Sequence, residues 1–167
     1  MPRYGTNPAK SDSVLPNFGL LRLIVPLYLP SGEGYCGQGF TMCEQMFQSI
    51  EDTVDERVKL TVINNGSPPE VAKALVRFQE SGLVDRVVHN AHNRGWRDAV
   101  LAELRATYEP IAAVTDAHVV FRHGWVDATL ATFTAFPECG LLSLHPAPHL
   151  RWFASTSVLV GAWMAGA

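Results

Sequence analysis

Asp116 and His118 stand two residues apart at the end of the run Ile111-Ala112-Ala113-Val114-Thr115. In an extended chain two such residues share one face. A carboxylate oxygen and an imidazole nitrogen on one face suit a divalent metal ion. The run before them is apolar, has no helical period and follows Pro110, so it is expected to be a buried strand over 111–116. Ligands of open α/β sheets bind beyond the carboxyl ends of the strands. Two further polar clusters follow segments that read as strands, Asn64-Asn65-Gly66-Ser67 and the stretch from Asn90 to Gly95. In a parallel sheet all three clusters lie on one edge and can converge on one ligand. Asn, Gly and Ser are also ordinary turn residues, so turn chemistry is the competing reading.

The elements that must position these clusters follow from pattern. Residues 1–19 carry three prolines among small polar residues and are expected to be an extended arm. Leu20 to Leu29 is apolar almost throughout and reads as a central strand whose pairing ends near Pro26. Pro30 to Gly39 is a glycine-rich loop, and from Phe40 the apolar residues recur at three and four, as in a helix. Val58 to Ile63 is the second strand. Ser67, Pro68 and Glu70 then offer an N-cap, a first helical residue and a capping-box partner for a helix bearing Val71, Ala74, Leu75 and Phe78. A short strand over Val84 to His89, a helix through Val100, Leu101, Leu104 and Tyr108, and the 111–116 strand come next. A helix through Val126, Leu130 and Phe133 and a last strand over Cys139 to His145 complete the order. Such alternation predicts an α/β fold, a three-layer arrangement around a mainly parallel sheet, as one domain over 20–167. Strand 111–116 is expected to be central and adjacent to 20–29.

Composition narrows the function classes. The chain has 167 residues, 47% of them hydrophobic and 17% charged, which describes a globular protein rather than a disordered one. A net charge of −3 argues against a nucleic-acid partner, because phosphate binding normally shows as a basic excess. Cys36, Cys43 and Cys139 are odd in number and lack metal-type spacing, which points to a reduced, cytoplasmic setting. Cys43 falls on an apolar helix face and reads as core. No signal peptide or transmembrane segment is evident. The apolar end from Val158 to Ala167 is about half the roughly 20 residues a membrane span needs. The stretch from Leu150 to Ala167 is therefore expected to bury itself, through Trp152, Val158, Leu159 and Trp163, against another chain.

The ordered set strand-Asn64-Asn65-Gly66-Ser67, Asn93-x-Gly95 with Ala99, Thr115-Asp116-Ala117-His118 and Gly124-Trp125 resembles the nucleotide-binding half of the family-two glycosyltransferases. Phe136-Pro137 and Gly140 fit the same pattern, and the likeness covers roughly residues 20–145. It implies the GT-A fold, a nucleotide-diphosphate sugar as donor and transfer to an acceptor that the sequence does not identify. By the same likeness Pro26 and Leu27 face the nucleotide base. Asn64 or Asn65 hydrogen-bonds the base or ribose, with Asn93 and Gly95 beside them. Asp116 binds the ribose or the metal, and His118 takes the place of the second metal-binding aspartate. That departure removes a negative charge and brings in a softer ligand, so Mn2+ is favoured over Mg2+, or the metal is lost. The acidic motif that supplies the family's general base has no counterpart, since no acid follows Glu138. Asp127 reads as a solvated acid at a helix start. His145 and His149 could add a metal ligand but read as exposed, and Trp96, Trp125 and Trp152 could stack on a base or sugar but default to packing. Two readings result: a glycosyltransferase, and a non-catalytic sugar-nucleotide-binding or assembly subunit of the same fold.

Overall fold

The computed structural model of the protein describes residues 18–30 and 39–144. The expected arm (apart from Phe18 and Gly19), most of the 30–39 loop, His145, His149 and the apolar tail with Trp152 lie outside the described residues. The elements run β1 (Leu21–Leu27), α1 (Gly39–Thr53), β2 (Val58–Asn65), α2 (Pro69–Glu80), β3 (Arg86–Asn90), α3 (Trp96–Leu104), β4 (Ile111–Val114) and α4 (Trp125–Ala135). The described residues fall into two compact units, one up to His123 with the sheet and one from Gly124 with α4.

The sheet has the order β3-β2-β1-β4 and every pairing is parallel. From β1 the chain steps twice in one direction, to β2 and β3, and then returns past β1 to β4. Right-handed crossovers therefore place α1 and α2 on one face and α3 on the other. Ala99 of α3 accordingly packs with Ile24 and Ile63, joined by Val88, Leu104 and Val114. Toward α1 and α2 point Leu21, Leu23, Val25, Leu60 and Val62, all buried. Cys43, Met46, Phe47 and Ile50 of α1 and Val71, Ala74 and Leu75 of α2 are the buried stripes, and Phe47 stacks on Phe78 at 4.5 Å. Burial, with the Glu44 carboxylate adding to it, pushes the Cys43 thiol up to about 11, so it is core and inert at neutral pH.

The 111–116 strand is adjacent to β1 as expected, with Leu21 opposite Ile111 and Ile24 opposite Val114. It is not central: β4 lies at the edge of the described sheet, Ala112 is exposed, and the strand ends at Val114. The cause is Pro26. The Thr115 N–H donates to the Ile24 carbonyl at 3.1 Å, so residues 24 and 26 face β4. The next rung needs an N–H from residue 26, and proline has none.

Two local expectations also fail. Ser67 is not an N-cap: the capping position is Pro68, which has no side-chain bond. The Ser67 hydroxyl instead accepts from the Leu29 N–H at 3.0 Å, tying the exit of β1 to the start of α2. Residues 139–144 form no strand, and the Cys139 N–H closes a turn on the Phe136 carbonyl at 2.9 Å. Beyond α3, Tyr108 is 77% exposed and stacks on Phe18 at 5.0 Å.

Charge is buried beneath α3. Arg22 forks onto Glu109 through Nε at 3.1 Å and Nη2 at 2.5 Å, while Nη1 donates to Thr61 at 3.3 Å. The Thr61 hydroxyl donates to Glu103 at 3.2 Å, and Glu103 also pairs with Arg86 at 3.3 Å. Burial pushes the Glu109 carboxyl up. Hydrogen bonds from Arg22 and from the backbone outweigh that and hold it below the usual range. A depressed folded pKa stabilises fully above the unfolded value of about 4.3, and the gain is lost as pH falls through the folded value. Glu109→Gln should therefore cost about 2 kcal/mol at pH 7 and flatten the loss of stability below pH 4. Urea unfolding at both pH values checks this, and equal stability at pH 7 would refute it.

Candidate functional site

The carboxyl ends of β1 and β4 meet where the strand order reverses, the place at which open α/β sheets bind ligands. Pro26, paired with Ile63, ends the β1–β4 ladder there, so the chain from Thr115 to His118 leaves the sheet at this point. Ala117 and His118 lie in a turn. Strand alternation therefore does not set the relation of Asp116 to His118; the turn does. Both side chains are exposed, and neither has a hydrogen-bond or ion-pair partner among the described residues.

The second and third clusters interlock. Asn65, 3% exposed, spends its whole amide on the β3–α3 loop. Its Oδ1 accepts from Asn90 Nδ2 at 3.0 Å and from the Arg94 N–H at 3.1 Å. Its Nδ2 donates to Asn93 Oδ1 at 2.9 Å and to the Gly95 carbonyl at 3.3 Å. Two donors and two acceptors are the full capacity of an amide, so Asn65 holds the loop and has nothing left for a ligand. Asn93 Oδ1 also receives the Gly95 N–H at 2.8 Å, which closes the turn into α3. This leaves the Asn93 Nδ2 without a described partner and commits the Gly95 backbone to the turn. Gly66, at φ +84°, passes directly beneath that loop.

Asn64 is equally buried at 3% and is held differently. Its Oδ1 accepts from the Ser67 N–H at 3.0 Å, and its Nδ2 faces His89 Nδ1 at 3.2 Å. One N–H and one lone pair remain. In sequence His89 is only the end of the expected 84–89 strand; the parallel register that sets it opposite Asn64 is what brings it to the site. Of the tryptophans, Trp125 is buried at 8% exposure, while Trp96 is 54% exposed at the start of α3. Asp127 sits exposed in the first turn of α4, in the second unit. Among the described residues no group of three or more His, Cys, Asp and Glu could hold a metal, and no helix is long and apolar enough to cross a membrane.

A model of the family described as Glycosyl transferase family 2 matches residues 41–142. No curated protein matches the sequence. Among solved structures, the mannosyltransferase PcManGT of Pyrobaculum calidifontis, determined in complex with GDP-Man and Mn2+, aligns with a TM-score of 0.62 at 20% identity. The alignment covers 79% of this chain and 37% of that one. TarS of S. aureus aligns at 0.56 and 11% identity, over 69% of this chain and 19% of TarS. The 1–349 portion of TarS gives the same score and identity, with 32% of it covered. The chain thus spans well under half of each of these proteins, and what they share with it is the GT-A fold. The family model, by contrast, spans more than half of the 167 residues, and the chain belongs to glycosyl transferase family 2.

Proposed function

We propose that the chain binds a nucleotide-diphosphate sugar along the carboxyl edge of its sheet and serves its transfer to an acceptor. The observation that carries this is the exposed pair Asp116 and His118, without a partner among the described residues, at the β1–β4 switch point in a member of this family. The pair fits a divalent ion as two ligands of an open site, a carboxylate oxygen and an imidazole nitrogen, with Mn2+ preferred over Mg2+. When bound, the ion neutralises charge on the leaving diphosphate. Asp116 and His118 would hold it, Asn64 and Asn93 would offer their remaining amide hydrogens to the nucleotide, and Asn65 would fix the loop that carries Asn93. In PcManGT the bound species are GDP-Man and Mn2+, which supports this donor class.

A second reading, sugar-nucleotide binding without transfer, is favoured by His118 standing where the resemblance expects an acid. Both readings require donor binding. Calorimetric titration with a panel of sugar nucleotides, with and without manganese, should find at least one that binds about tenfold or more tightly with the ion, a gain of about 1.4 kcal/mol. Failure of every donor to bind contradicts both readings. Turnover of a bound donor on adding acceptor candidates separates the first from the second.

A further inference from the structure

We propose that His89 reads the base of the donor through a proton that Asn64 fixes on Nε2. This rests on reading the carboxyl edge as a nucleotide site. Asn64 and His89 are opposite one another in the β2–β3 register. The Ser67 backbone N–H can only donate, and it reaches Asn64 Oδ1 at 3.0 Å. The other amide atom, Nδ2, therefore faces His89 Nδ1 at 3.2 Å. An amide nitrogen also only donates, so Nδ1 must accept and the neutral ring carries its proton on Nε2.

The holding amide is buried, whereas the ring it holds is exposed at the carboxyl end of β3. Its Nε2–H has no partner among the described residues. The edge thus presents a directed donor with a fixed tautomer. A keto oxygen on a nucleobase accepts from such a group, whereas the exocyclic amino group of cytosine or adenine offers hydrogens in the same place. Three strand intervals separate β3 from β4, roughly 14 Å at about 4.8 Å each. A nucleotide with its diphosphate at Asp116 and its base at His89 would lie across the edge of the sheet.

Glutamine and asparagine substitutions separate the two ring nitrogens. The side-chain amide of His89→Gln reaches the place of Nε2, and that of His89→Asn reaches only the place of Nδ1. The full chain with manganese should bind UDP over CDP, or GDP over ADP, by about tenfold. His89→Gln should keep that preference and His89→Asn should lose it. Long-range 15N spectra of the wild type should show a protonated Nε2 whose signal moves on adding the preferred nucleotide. A ring proton found on Nδ1, or an undiminished preference in His89→Asn, overturns the role of His89 and leaves the donor site standing. Absence of nucleotide binding in the wild type removes the donor site and this role together.

Discussion

Gly66→Ala should lose about 4 kcal/mol of folding stability, the largest effect expected of a methyl group added at any glycine among the described residues. The φ of +84° alone costs an L-residue about 1–3 kcal/mol. The added Cβ would also stand 2.5 Å from the Asn93 nitrogen and 2.6 Å from the His92 carbonyl carbon. Both are backbone atoms and cannot rotate away. Relief requires moving a loop that Asn65 holds by three hydrogen bonds, with a fourth to Asn90 at the end of β3, each worth about 1 kcal/mol. Gly82 provides the comparison, because it has a similar φ of +85° and nothing within 4 Å of an added Cβ. Gly82→Ala should show the conformational cost alone. Urea unfolding of the two variants side by side isolates the crowding term, and equal losses would show that the β2–α2 turn and the β3–α3 loop do not press on each other.

Asp116→Asn and His118→Ala should each weaken manganese-dependent nucleotide binding by tenfold or more, about 1.4 kcal/mol or above. Each removes one of the two protein ligands proposed for the ion. Because both side chains are exposed and have no partner among the described residues, stability should stay within about 0.5 kcal/mol of wild type. Loss of binding without loss of fold is the signature sought. His118→Asp should restore use of magnesium, since a second carboxylate supplies the charge and hardness that the imidazole lacks. Unchanged affinity in both Asp116→Asn and His118→Ala would remove the metal role.

Much of the scaffold was legible because burial imposes period. The helical recurrence from Phe40 to Ile50 and the largely apolar runs in β1 and β2 led to elements that fold where they were expected. Adjacency of 111–116 to β1 was legible too, but its central place was not. Ala112 and Ala113 suit a buried strand and an edge equally, and Pro26, far earlier in the chain, decides where the ladder stops. Ser67 shows the same limit. Its spacing from Glu70 is that of a capping box, yet its hydroxyl goes to Leu29, a partner that local sequence cannot reveal. The site was legible as a set of strand ends and not as a division of labour. Asn64 and Asn65 look alike in sequence, but alternation sends them to opposite faces, one to hold His89 and the other to lock a loop. The Arg22–Glu109 pair went unread, although an arginine inside an apolar strand was a visible signal that a buried acid must answer it.

The central claim is that a divalent ion and a nucleotide diphosphate meet beside Asp116 and His118. Paramagnetic broadening by Mn2+, followed in amide spectra with a nucleoside diphosphate present, tests it most directly. Signals of residues 115–119 should broaden first, and those of Leu27 and Tyr28 at the exit of β1 should follow. Broadening centred on His92 or His123 instead, or none specific to any site, would contradict it.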